Sequence, residues 1–227
     1  MNLAEKWGNL QSKIKGSIYL LKPPKKLMVS DWADTYRKLD GQSSAEAGQW
    51  YTSRAEYQRG IMDACSDPEN RQVIVMAGAQ LGKTEAILNI IGYHIHNDPS
   101  PILCLQPTLD MAQAFSKDRV ASGLLNSTPV LRDKVKNPRS RDSGNTTLHK
   151  TFAGGALTMV GANSPSGLAS RPIRILLCDE VDRYPTSAGS EGDPIQLAMK
   201  RTATFWNRRI IMVSTPTNKG VSRIEDS

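Results

Sequence analysis

The chain has 227 residues, 39% apolar and 22% charged, with an odd three cysteines that show no paired spacing, which excludes collagen, a disulfide scaffold and wholesale disorder and fits one large domain or a domain with an appendage. No apolar run approaches the roughly 18 residues of a membrane span, and Met1-Asn2-Leu3-Ala4-Glu5-Lys6 lacks the apolar segment of a secretory signal. The 29 basic against 22 acidic side chains leave +7, with basic clusters at 1–26 and 132–150 and an acidic focus at 179–193, a distribution that suits a metal site beside a polyanion groove if motifs support it.

Residues 1–50 read as an arm: Pro23-Pro24, a short helix over 30–39 and the loop from Gly41 carry little core pattern. From residue 54 the pattern changes. Tyr57, Ile61 and Met62 are helically spaced through 54–65, and Val73 to Ala77 is a strand-length apolar run. A helix is predicted over 83–96, a strand over 102–105, and a helix capped by Thr108 that reaches about residue 125. The polar, basic stretch 132–155 reads as a long loop or short hairpin. Strands are expected again at 156–161, 173–178 and 209–214, with a helix from Pro194 to about Phe205. Continuous apolar strands joined by helices predict an α/β fold with a mostly parallel central sheet flanked by helices. The cysteines at 65, 104 and 178, two of them inside apolar runs, read as reduced core thiols in a cytosolic protein.

The chemistry concentrates at strand ends. Gly78, Ala79, Gln80, Leu81, Gly82, Lys83 and Thr84 follow the strand and open the helix, matching a phosphate-binding loop except that Ala77 stands where its first glycine belongs. In such a loop Gly82 permits close backbone approach, successive amides surround phosphates, Lys83 meets the β/γ oxygens, and the Thr84 hydroxyl serves Mg2+, with Glu85 next in the helix. Asp179 and Glu180 end the run from Ile173. There Asp179 would hold the metal and Glu180 would activate the attacking water, as in the additional-strand, catalytic-glutamate class of P-loop NTPases. Tyr57 and Gln58 lie where an adenine-reading glutamine is found in helicase-like ATPases, one amide donating and accepting together. Ser214 and Thr215 end the last strand where a γ-phosphate sensor or coupling segment would stand. Arg171 is a candidate arginine finger, and Arg132, Lys134, Lys136, Arg139, Arg141 and Lys150 are candidate DNA contacts. His94 and His96, two apart, diverge on a helix and make no zinc site.

Taken together, Trp50, Tyr57-Gln58, Gly78 to Thr84, Gln106-Pro107-Thr108, Phe115 to Arg119, Gly161 to Arg171, Asp179 to Pro185 and Ser214 to Gly220 resemble the lambda-type large terminase subunit of tailed phages over about residues 25–227. The resemblance implies an ATP- and Mg2+-dependent motor, oligomeric when assembled, that drives double-stranded DNA into a procapsid. It would act with a small terminase subunit and the portal protein in the host bacterial cytoplasm, without a membrane. It also implies a longer protein with a nuclease domain; no acidic nuclease cluster follows here, so 51–227 is expected to be a truncated ATPase domain without cutting activity. Many family members carry an arginine inside the phosphate loop where this chain has Ala79-Gln80, so a charge-stabilising arginine would come from elsewhere, in cis or from a neighbouring subunit. The runner-up is the first motor domain of a helicase-like ATPase, since Asp179-Glu-Val-Asp182 also fits the D-E-x-D pattern.

Overall fold

The computed structural model describes residues 26–41, 46–135, 145–164, 167 and 171–227, with isolated positions 7, 11, 13 and 14. Helix α1 (Val29–Tyr36) leads into a small antiparallel pair, β1 (Lys38–Leu39) and β2 (Gly48–Gln49), and a 3-10 turn at Thr52–Ala55. Next come α2 (Tyr57–Ser66), β3 (Gln72–Met76), α3 (Lys83–His96), β4 (Ile102–Gln106) and α4 (Leu109–Ala114), which continues as a π-helical stretch at Phe115–Asn126. The short α5 (Pro129–Arg132) precedes β5 (His149–Phe152), β6 (Gly155–Gly161), β7 (Ile175–Asp179), α6 (Pro194–Lys200) and β8 (Arg209–Ser214).

Six strands form one sheet in the order β3-β8-β7-β4-β6-β5, parallel throughout except for β5. The sheet is the α/β architecture expected, and β8 is the strand inserted between the phosphate-loop strand and the acidic strand. Central strands β4, β7 and β8 are buried at every position, because helices or loops cover both faces and leave no solvent side on which polar residues could alternate. One apolar layer, around α1, α2 and α3, packs on one face; a second, around α6, Tyr184 and Ile224, packs on the other.

Helix α3 runs through the first layer, buried from Ala86 to Ile95. Gly92 on it has no Cβ because the Trp32 ring fills that space: a Cβ there would lie 2.2 Å from the indole. The indole of Trp32 is fully buried and donates through Nε1 to His96 Nδ1 at 3.0 Å. The described part of the expected arm therefore belongs to the core, since a helix that buries Val29, Trp32 and Ala33 cannot detach without exposing them. The helix predicted over 30–39 ends at Tyr36, and its last residues form β1 instead. Of the basic stretch 132–155, the end is the hairpin β5–β6, while residues 136–144 lie outside the described residues. No helix among the described residues is long and apolar enough to cross a membrane.

Candidate active site

Four parallel strands bring their C-terminal ends to one edge. Register places Met76 opposite Ser214 and Asp179 opposite Val213, and Gln106 follows one step after the pair Leu105 and Cys178. The Ala77 N–H donates to the Ser214 carbonyl at 3.1 Å, extending the ladder to the mouth of the loop. In open parallel sheets this is the edge where ligands bind.

The loop from Gly78 turns sharply into α3 through two left-handed residues, Gln80 (φ 61°) and Gly82 (φ 70°). Glycine takes that conformation freely, whereas Gln80 holds it at a cost that functional loops commonly carry. Lys83 folds back over the loop. Its ammonium donates to the carbonyls of Ala77 (3.1 Å) and Gly78 (2.6 Å) and to Thr215 Oγ1 (2.8 Å). One cation thus bridges the phosphate loop and the end of β8 with all three of its N–H donors engaged, so an arriving anion would have to draw the ammonium off these partners. Thr84 stands in the first turn of the helix and Glu85 follows it. The Glu85 carboxylate is turned away from the loop, gripped by Arg37 and Arg119. Arg37 is almost wholly buried; burial lowers its guanidinium pKa against the opposing pull of Glu85. Arg37 did not stand out in the sequence and Arg119 entered only as the end of the Phe115 to Arg119 segment of the resemblance, because nothing local marks a pairing with Glu85 across 48 or 34 positions.

Asp179 is 5% exposed and accepts from Gln106 Nε2 at 3.0 Å. Burial, with the neighbouring Glu180 charge, pushes its carboxyl up to about 6 against the Gln106 hydrogen bond and the Lys83 charge. Glu180 sits at φ 56°, ψ 51°, a left-handed strain in a non-glycine residue at the strand end, and its Oε2 lies 3.7 Å from Arg183 Nε. Asp182 accepts from the Thr217 N–H (2.9 Å), Thr217 Oγ1 (3.0 Å), Ser222 Oγ (2.7 Å) and the Ile224 N–H (2.9 Å). Burial alone would raise this carboxyl, but those hydrogen bonds hold it below its ordinary value. Ser214 Oγ accepts from the Asp182 N–H at 3.2 Å, so the segment after β8 is tied to both the lysine and the acidic strand.

The sequence-singled residues divide by position. Lys83, Thr84, Asp179, Glu180, Ser214 and Thr215 converge at one edge. Tyr57 and Gln58 lie beneath the loop, where both reach the Leu81 carbonyl, at 3.1 and 3.5 Å. Arg171 does not join them: its Nη1 lies 3.1 Å from His149 Nε2 on β5, five strand spacings of about 4.8 Å, or roughly 24 Å, from β3. Arg132 bonds the Asn126 carbonyl that ends the π-helical stretch, while Lys134 is exposed beside it. Lys136, Arg139 and Arg141 lie outside the described residues. Lys150 corrects the expectation of a DNA contact. It is 3% exposed, its ammonium donating to Ser116 Oγ and the Thr147 carbonyl, so it is not presented to a phosphate backbone. Gln106 is the residue missed. The sequence offered it only within the Gln106-Pro107-Thr108 segment of the resemblance, and only the fold brings its amide to Asp179.

Among the described residues no cluster of three or more His, Cys, Asp or Glu could cage a metal. The donor set present is one buried carboxylate with an oxygen beyond the one Gln106 engages, a second carboxylate beside it and a hydroxyl on the helix start. That set fits Mg2+, which keeps waters and binds through one or two carboxylates plus substrate phosphates.

A phosphate-binding loop opening a helix, an acidic strand end and a strand interposed between them define an additional-strand P-loop NTPase. The chain belongs to the family of phage terminase large subunit gpA, ATPase domain, whose model matches residues 44–227. It is 26% identical over 223 residues to the terminase large subunit of Enterobacteria phage P21, covering 98% of this chain and 34% of that protein. Against the corresponding subunit of Escherichia phage lambda the identity is 25% over 228 residues, covering 99% and 35%. The chain spans about a third of the length of these relatives. The large terminase of bacteriophage HK97 has a similar fold, with a TM-score of 0.67 at 14% identity over 89% of this chain and 40% of that one.

Proposed function

We propose that this domain hydrolyses ATP with Mg2+ to drive double-stranded DNA packaging as the motor part of a terminase large subunit. The observation that carries the reading is the lysine bridge: Lys83 contacts the phosphate loop and Thr215 together, so a group that withdraws its ammonium alters the end of β8 at the same time. Asp179 and Thr84 would hold Mg2+, which supplies neutralisation of phosphate charge when bound. Lys83 would neutralise charge on the β/γ oxygens and the loop amides would orient them. Glu180 would accept the proton of the attacking water from its half-buried position beside Asp179. Thr215 and Ser214 would carry the change to the Asp182-tied segment that follows. Arg171, distant from the loop within one subunit, is suited to act on a neighbouring subunit's phosphates in an assembled ring. The partners of this reading are duplex DNA, a small terminase subunit and a portal protein, in the host cell.

Lys83→Ala should abolish Mg-ATP binding by isothermal titration, and unchanged affinity would sink the assignment. Glu180→Gln should retain affinity and lower turnover by roughly 10²-fold or more; equal turnover would remove Glu180 from the role of base. A strand-displacement assay separates the helicase-like alternative, because a packaging motor moves duplex without unwinding it.

A further inference from the structure

The start of α2 presents Tyr57 and Gln58 to the underside of the phosphate loop. The Tyr57 hydroxyl donates to the Leu81 carbonyl at 3.1 Å and the Gln58 amide to the same oxygen at a longer 3.5 Å. Gln58 is 4% exposed and its Oε1 is buried without a partner among the described residues. Flipping the amide would set that oxygen against the Leu81 carbonyl, so the nitrogen faces the loop. An apolar side chain would fill this space without leaving a buried acceptor unpaired, so the amide earns its place only through what it reaches. It also packs directly on the next residue: a Cβ at Gly82 would lie 2.2 Å from Gln58 Nε2.

A trans peptide is planar, so its C=O and the following N–H point in opposite directions. Holding the Leu81 carbonyl down toward α2 therefore turns the Gly82 N–H up, away from α2. A helix N-terminus aims its first N–H groups at an anion, and Gly82 is the cap of α3. We propose that Tyr57 and Gln58 are positioning residues for the phosphate loop, fixing the Leu81–Gly82 peptide so that its N–H faces a bound phosphate whichever base the nucleotide carries. This rests on reading residues 78–84 as the phosphate site. It departs from the expectation that Gln58 reads adenine, for which its amide would have to leave its buried position.

The test uses the whole chain with Mg2+ and three probes: ATP, GTP and inorganic tripolyphosphate, which has no base. The double variant Tyr57→Phe with Gln58→Met keeps bulk and removes both donors. It should weaken all three probes by the same factor, about tenfold for two modest hydrogen bonds, and leave the ratio of ATP to GTP affinity unchanged. In wild type, tripolyphosphate should move the Gly82 amide proton resonance downfield, and in the double variant that shift should shrink. A loss confined to ATP, or wild-type affinity for all three probes, overturns the proposal. Should Gln58→Met fail to fold, Tyr57→Phe alone decides, since that ring is 57% exposed and removes the shorter bond: wild-type affinity together with an unchanged Gly82 shift overturns it. Lys83→Ala is the separate control. If that variant binds tripolyphosphate as wild type does, the phosphate-site reading itself fails, independently of what Tyr57 and Gln58 do.

Discussion

Asp179 shows at the scale of one side chain how stability is traded for chemistry. Its carboxyl is pushed up to about 6 in the folded chain by burial and by Glu180, against an ordinary value near 4 when unfolded. Between about pH 4 and about pH 6 the folded state holds more protons than the unfolded one, so this residue's contribution falls as pH rises and stays low at neutrality. Asp179→Asn removes the charge and keeps the shape. The nucleotide-free variant should be more stable than wild type at pH 7, by roughly 1–3 kcal/mol for a shift of about two units, with the gain vanishing below about pH 4. Urea denaturation across pH 3.5 to 7.5 measures it, and a variant less stable at pH 7 would contradict the argument. The same variant should lose Mg-ATP binding, because on the proposed reading the anion that costs stability is the one that would meet the cation.

Among the elements, the segment after β8 is held by the Asp182 carboxylate, by the Arg223–Asp193 ion pair at 2.6 Å and by the packing of Ile224. Ile224 is buried against the second core layer, but Val221 is 75% exposed and Asp182 supplies the hydrogen bonds to Thr217, Ser222 and the Ile224 backbone. Asp182→Ala leaves two backbone N–H groups and two hydroxyls without their acceptor, at about 1 kcal/mol each where burial keeps water out. The expected result is faster limited proteolysis within 215–224, with β8 and the rest of the sheet still protected from hydrogen exchange. Equal cleavage rates in variant and wild type would show that the packing of Ile224 and the Arg223–Asp193 ion pair suffice. Since Ser214 Oγ is joined to the Asp182 N–H and Thr215 to Lys83, the same substitution should also weaken any link between nucleotide state and this segment.

For the whole molecule, the net charge of +7 and its clustering would set how the proposed motor domain meets duplex DNA. With Lys150 buried, the exposed described candidates are Arg132 and Lys134, adjoining a stretch that carries Lys136, Arg139 and Arg141 in sequence. Arg132 ends a helix of only four residues and Lys134 follows it, too short an element to read bases, so binding to duplex DNA should be weak, indifferent to sequence and steeply dependent on salt. Neutralising Arg139 and Arg141 together should flatten the plot of log affinity against log salt by roughly 2, whereas Lys150→Met should leave the slope unaltered. A slope insensitive to the arginine pair would move the DNA contact elsewhere. If either arginine instead serves a neighbouring subunit's phosphates, its loss would lower ATP turnover in the assembled motor and leave the slope intact.

The strands, the phosphate loop, the acidic strand end and the Thr108 cap were legible in the chain because each is a local pattern: apolar runs of strand length, small residues before Lys83-Thr84, carboxylates after an apolar run, a hydroxyl accepting from the Met111 N–H three residues on. What lay hidden involves pairs far apart in sequence, since propensity and periodicity say nothing about which side chains meet across elements. Trp32 filling the space at Gly92 turned an apparent arm into core. Gln106 and Asp179, 73 positions apart, meet because β4 and β7 are neighbours in register. A lysine counted as a surface cation was buried among oxygens, and a glutamine assigned to adenine was turned toward the loop. Residue types at strand ends determined the class of chemistry; only tertiary packing, by fixing strand order and the direction in which each polar group is satisfied, decided which side chains share the site.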